Sequence, residues 1–375
     1  MYLHLVSFDV PYPANYGGVI VVFHQIRALH AAGVKVILHC FQYGERLPQP
    51  ALEEYCQEVH YYARSRSAVY QLHWLPFIMR TRMSNVLVQR LRQDNYPIFC
   101  EGLHTSALVW NPLLRDRQKL VRMHNVEWQY YRSLARLAPP LHIFKKLYHF
   151  IESVKLRHIE AKVLGYAEAI VTLSSHDNAY YRALKANTHY IAAFHANDTV
   201  ESRPGRGGYV LFHGKLSVPD NERAAAWLIE AVFSKMNVPL VIAGMDPPAP
   251  LRALINRYSH IQLVENPDDR HMRALIAEAH INLLVSFQTA GIKLKLINAL
   301  FQGRFCVVNE TMVSGTGLDH LCSVCDSGAA ICQTIVALMK IPFGPDQIEQ
   351  RRATLEAEFS NQANARKLMA LIEFS

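Results

Sequence analysis

Short apolar runs alternate with amphipathic stretches along most of the chain. YLHLVSF (2–8), VKVILHCF (34–41), YPIFC (96–100), KLVRM (119–123) and EAIVTLS (168–174) are nearly continuously apolar, as strands buried on both faces are. Stretches such as YGGVIVVFHQIRALHAAG (16–33) between them predict helices, with Gly33 as a C-cap. Strands alternating with helices predict a parallel sheet covered on both sides. At 196–208 (ANDTVESRPGRGG) the periodicity stops, and this stretch reads as a linker. The alternation restarts with YVLFHG (209–214), a helix near 219–234, PLVIAG (239–244), a helix near 268–279, HINLLVS (280–286) and FCVVN (305–309). The expectation is two α/β domains, 1–195 and 209–375, with the last helix a candidate to cross back to the first. Their strand C-termini are expected to face a shared cleft, since ligands of such sheets bind beyond the strand ends.

One segment breaks the alternation. PPLHIFKKLYHFIESVKLRHIEAKVLG (139–165) is a long helical pattern carrying Lys145, Lys146, Lys155, Arg157 and Lys162 among aromatic and aliphatic residues. Arg64, Arg66, Arg80 and Arg82 flank a second apolar stretch, VYQLHWLPFIM. Either suits an anionic lipid surface, and equally an ordinary helix with a solvated basic face.

Composition narrows the class. With 375 residues, half of them hydrophobic, the chain can bury two sizeable cores, which excludes disorder. A net charge of +8 favours anionic partners. The basic residues do not gather into a run with stacking aromatics, so phosphorylated small molecules or lipid headgroups fit better than nucleic acid. The seven cysteines read as buried free thiols of a reducing compartment. CSVC (322–325) has the spacing of half a zinc site, but no second half answers it, and no metal is expected. The N-terminal stretch reads as a first strand, without the basic and cleavage regions of a signal peptide. No run reaches the roughly 18 apolar residues of a membrane span. A cytoplasmic protein is expected, with peripheral contact at the inner membrane face left open.

Chemistry concentrates after strands. Phe287 to Phe305 runs from a turn, FQTAG, into a helix starting near Ile292, whose free N–H groups and positive dipole end suit a diphosphate. Lys293 and Lys295 lie about 200° apart on a regular helix, whereas Lys295 and Asn298 share a face. Lys295 is therefore the expected phosphate contact, with Asn298 beside it. Gly214 and Lys215 end the strand LFHG and supply a second candidate cation. In the first half, Gly17 and Gly18 follow the first strand and permit close backbone approach, while His104, His124, Asn125 and Glu127 follow two later strands. GxGxxG, GxSxG, HExxH and Walker patterns are absent.

These pieces together resemble the GT-B glycosyltransferases, specifically the retaining family 4 (group 1) enzymes. The carriers are PYPANYGG, RMHNVEWQYYRSLA (122–135), VTLSSHD (171–177), FHGKLSVPDNERAAAWL (212–228), VIAG (241–244) and GIKLKLINALFQGRFCVVNETMVSGTGL (291–318). The resemblance implies a GT-B architecture, two Rossmann-like parallel-sheet domains facing a central cleft. It implies a nucleotide-diphosphate sugar donor, a saccharide or lipid-linked acceptor, and work in bacterial surface polysaccharide or glycan synthesis. His124 matches the family's active-site histidine, and Lys215 and Lys295 its diphosphate cations. Gly17, Gly18, Gly214, Gly244, Thr289, Ala290 and Gly291 match loops near donor sugar and phosphates. Many relatives carry a Glu-x7-Glu pair whose second carboxylate binds the ribose; here the two positions are Ala290 and Asn298. Asn298 offers a carbonyl oxygen in its place, a neutral and typically weaker acceptor.

The implied mechanism is donor binding to the second domain, acceptor against the first, and closure that excludes water. Lys215, Lys295 and the helix N-terminus would stabilise the leaving diphosphate while His124 orients the sugar, with same-face attack and retention. Three alternatives stay open. One is another GT-B enzyme, including an inverting one with Glu127 or His104 as base. The others are a catalytically inactive homologue acting as a partner or binding subunit, and a nucleic-acid binder resting on charge alone.

Overall fold

The computed structural model describes residues 1–44, 46–65, 67–137, 142–288 and 293–372. It divides into two units, 1–196 with 359–375, and 197–358.

The first unit holds a seven-stranded, all-parallel sheet. Its strands are β1 (Tyr2–Ser7), β2 (Lys35–Gln42), β3 (Glu58–Ala63), β4 (Ile98–Glu101), β5 (Lys119–Met123), β6 (Ala169–Thr172) and β7 (Thr188–Tyr190), in the order β3-β2-β1-β4-β5-β6-β7. The central strands β1, β4, β5 and β6 are buried almost throughout, which is why they read as continuous apolar runs. One core face gathers Leu3, Leu5, Ile26 and Phe99, the other Val6, Ile98, Val121 and Ile159. The order reverses between β1 and β4, and such switch points open a crevice at the strand C-termini.

The second unit repeats the plan with six parallel strands: β8 (Val210–His213), β9 (Leu240–Gly244), β10 (Ile261–Glu265), β11 (Ile281–Leu284), β12 (Phe305–Val308) and β13 (Ser323–Val324). They run β10-β9-β8-β11-β12-β13, so the switch lies between β8 and β11.

The stretch read as a linker is packed on this second unit. The Glu201 N–H donates to the Phe301 carbonyl at 2.7 Å, and the buried Ser202 hydroxyl reaches the Leu300 carbonyl at 3.3 Å. Arg351, also buried, donates to the Ser202 hydroxyl at 3.0 Å and to the carbonyls of Leu300, Gly303 and Arg304. The helix Asn361–Leu371 belongs to the first unit, where Ala365, Leu368 and Ile372 join the core around Leu3 and Leu5.

Candidate functional site

In the first unit the switch point collects the residues that follow β1, β4 and β5. Glu101 ends β4 and lies in register with Arg122 on β5; both are fully buried. The Arg122 guanidinium carbon lies 5.2 Å from the ring centroids of Phe99 and Phe194, and its Nη1 stands 3.6 Å from Glu101 Oε1 and donates to Gln25. His124 Nε2 lies 2.8 Å from Glu101 Oε2. Burial works to raise the Glu101 carboxyl, but Arg122 and His124 outweigh it and hold the group below its usual range. A carboxylate only accepts, so the His124 proton sits on Nε2, and Nδ1 is left to accept, or to donate when the ring is charged.

Phe8 organises the neighbours. Its ring stands edge-on to His124 at 5.3 Å and tilted to His104 at 5.2 Å. Gly18 is small for a packing reason: a Cβ there would lie 2.7 Å from the Phe8 ring, whereas Gly17, opening the helix Gly17–Ala31, faces open space. His104 is kept neutral by burial and by the charges of Arg82 and His124, far below the ordinary histidine range. The Asn125 carbonyl accepts from the Tyr181 hydroxyl at 3.2 Å. Glu127, the first residue of the helix Glu127–Leu137, is buried, and burial pushes its carboxyl up to about 7.

In the second unit β8 delivers Gly214 and Lys215, and the helix Pro219–Ala231 begins just after. Asp220 accepts from the Ser286 hydroxyl at 2.8 Å and the Phe287 N–H at 3.0 Å, fixing the exit of β11. Asn221 accepts from Lys295 Nζ at 3.0 Å and donates to the Lys215 carbonyl at 2.9 Å. One side chain thus joins the end of β8 to the lysine that lies beyond β11. The Lys215 ammonium itself is half exposed, 3.6 Å from Asp246. Gly244 lies so close to Gly214 that a Cβ would collide with the Gly214 carbonyl, so its smallness serves packing.

The helix that follows runs Leu294–Gln302 with Lys293 at its N-cap. Lys293 is therefore off the helix, and the angular argument separating it from Lys295 does not apply. It donates to the Gln288 carbonyl at 2.8 Å, and both lysines feel the charge of Asp220. Burial brings the Lys295 ammonium down to about 8. His213, buried at the end of β8, is driven to about 3 by burial and by the Lys295 charge. Asn298 Oδ1 already accepts from Asn197 Nδ2 at 2.8 Å, and Asn197 in turn accepts from Gln302. Thr289, Ala290 and Gly291 lie outside the described residues, as does Ile292 at the expected helix start.

Residues 207–340 match the family described as "Glycosyl transferases group 1". The second unit carries a group 1 glycosyltransferase domain. An "Uncharacterized 44.6 kDa protein in cps region" of Klebsiella pneumoniae is 26% identical over 334 residues, 84% of each chain. Among solved structures, TarM superposes with a TM-score of 0.67 at 9% identity, covering 100% of this chain and 99% of that one. Anabaena HepE in complex with UDP and glucose gives 0.56 at 14% identity, over 98% and 96%. An alpha,alpha-trehalose-phosphate synthase (UDP-forming) from Burkholderia xenovorans gives 0.62 at 9%, over 99% of both chains. These likenesses show the GT-B fold, two Rossmann-like parallel-sheet domains.

Of the expected residues, the glycosyltransferase domain brings together Gly214, Lys295 and the Lys215 backbone around Asn221, and sets Asn298 apart in a network with Asn197. The first unit brings together His104, His124 and Gly18 around Phe8. Sequence reading missed Glu101, Arg122, Asp220 and Asn221, and set Lys293 aside on a helical spacing that does not reach it. A carboxylate closing an otherwise apolar strand, as in IFCE, was the available signal for Glu101. No helix among the described residues is long and apolar enough to cross a membrane.

Proposed function

We propose that this protein transfers a sugar from a nucleotide-diphosphate sugar to a saccharide or lipid-linked acceptor during assembly of a bacterial surface polysaccharide, with retention of configuration. The observation that carries the reading is Lys295, a cation held in a partly buried site beside a strand switch point, within a group 1 glycosyltransferase domain. Its ammonium would neutralise charge developing on the leaving diphosphate, where a desolvated cation acts most strongly. Lys293 adds a second charge close by. In the first unit His124, steadied by Glu101, would present Nδ1 to the reacting sugar or acceptor. The leaving phosphate is then the base that takes the acceptor's proton, so no metal or further cofactor is invoked. Two relatives support the reading: the Klebsiella protein by its cps region, and HepE by its complex with UDP and glucose.

A second reading, a binding subunit without catalysis, is favoured by Asn298, whose oxygen is engaged by Asn197 where relatives hold ribose through a carboxylate. Thermal shifts with UDP-, GDP-, ADP- and dTDP-sugars separate the two. A selective shift abolished in Lys295→Ala is expected, with Asn298→Ala altering it little. No shift with any donor, in folded protein, favours the binding subunit.

A further inference from the structure

The helix Ile143–Tyr166 is apolar on two sides. Leu156, Ile159 and Val163 are fully buried in the first unit's core. Phe144, Leu147, Ile151 and Val154 follow each other at three- and four-residue spacing and so form one stripe. They are 89%, 53%, 43% and 57% exposed. The stretch 68–77 is bound to the same helix: Lys155 Nζ donates to the Gln71 carbonyl at 2.7 Å, and the Phe77 N–H to the Glu152 carboxylate at 2.7 Å. Lys162 Nζ lies 5.5 Å from the Trp74 ring centroid. Leu72, 88% exposed, and Trp74, 57% exposed, thus belong to the same face of the unit. Soluble domains seldom leave so many large apolar side chains bare together without a use for them.

Charge decides what covers this face. Residues 64–83 contain no Asp or Glu, and residues 142–166 only Glu152 and Glu160. Both are buried; Glu152 is paired with Lys155, and Glu160 accepts from the hydroxyls of Tyr180 and Tyr181. The same stretches carry Arg64, Arg80, Lys145, Lys146 and Arg157 with no acidic side chain exposed among them. A second copy docking by this face would set like charge against like. An anionic bilayer answers both features, with acyl chains for Phe144 and Leu72, phosphate headgroups for the cations, and an interfacial level for Trp74. We infer that this face of the first unit seats on an anionic lipid surface.

The inference is independent of the transferase reading, since binding is read without nucleotide. The full chain is floated with vesicles of phosphatidylcholine alone, and with phosphatidylglycerol added. Flotation is expected only with the anionic vesicles, weakening as salt is raised. The pair Leu72→Ser with Phe144→Ser should cut partitioning about tenfold or more, as should Lys145→Glu with Lys146→Glu. These positions are largely exposed, so the thermal midpoint should stay unchanged and report that each variant is folded. No flotation with anionic vesicles, or flotation indifferent to both pairs, overturns the inference. Sedimentation showing a dimer that the Leu72/Phe144 pair dissolves would assign the face to a second copy instead.

Discussion

Lys295 carries its charge where charge is costly. Burial holds its ammonium near 8 instead of the usual lysine range, and Asp220 only partly offsets this. An incoming diphosphate would favour the charged form, so binding takes up a proton once the pH exceeds about 8. Donor affinity measured by titration calorimetry should therefore be flat below pH 8 and fall by up to about tenfold per unit above it. Lys295→Ala should bind weakly and without that slope; a flat wild-type profile from pH 7 to 9 would remove Lys295 from the phosphate site. At this scale the sequence was legible where a residue's placement depends on its own strand or helix. Lys295 and His124 follow from position after a strand. Lys293 did not, because its environment depends on the helix beginning at Leu294 and not earlier. Asn298 shares a helix face with Lys295 as expected, but its partner Asn197 comes from 101 residues away, beyond any local pattern.

Among the strands, the nine central ones were legible from continuous apolar runs, and four were not: β3, β7, β10 and β13. These four are the edges of the two sheets. An edge strand has a neighbour on one side only and tolerates polar residues, as the partly exposed pattern of β3 and β10 shows, so its signal fades. The β3 edge also anchors a buried polar chain across three strands. Asp94 meets His4 at 3.0 Å, His4 Nδ1 meets His39 Nε2 at 2.9 Å, and His39 Nδ1 meets the Tyr62 hydroxyl at 2.9 Å. Burial lowers both histidines, most strongly His39, which also feels His4, His60 and Arg90; Asp94 partly counters the effect at His4. Both groups thus bind protons less readily folded than unfolded, where histidine titrates near 6.5. Stability contributed by their neutral forms is present above about 6.5 and lost as pH falls below it. The urea midpoint should drop between pH 7 and 5, and His39→Gln should shallow that drop while costing some stability at pH 7. An unchanged slope in His39→Gln would mean that other groups govern the acid limb.

Across the whole molecule the chain visits the first unit twice. It leaves at Ala196, builds the second unit, and comes back at Phe359 to lay the helix Asn361–Leu371 against the helix Gly17–Ala31. His195 and Asn361 fasten the return: the His195 N–H donates to Asn361 Oδ1 at 3.1 Å, and Asn361 Nδ2 to the His195 carbonyl at 2.8 Å. Ending the chain at Glu358 would strip Leu368 and Ile372 from a core in which both are wholly buried. Hydrogen exchange on that truncation should show β1 and β2 losing protection while β8, β9 and β11 keep theirs. Equal loss in both units would mean that they fold as one. The sequence offered the last helix only as a candidate to cross back, because its pattern records that it has an apolar face and not which sheet receives it.

The returning helix also imposes an order on synthesis. A ribosome makes the first sheet early, yet the residues that close one of its faces are made only after the entire glycosyltransferase domain. Throughout that interval Leu3, Leu5 and Ile26 lack part of their cover, so the domain begun first is completed last. The newly made N-terminal half is then the natural client for a holding chaperone, and a stalled or prematurely ended message would leave an adhesive fragment in place of a finished half.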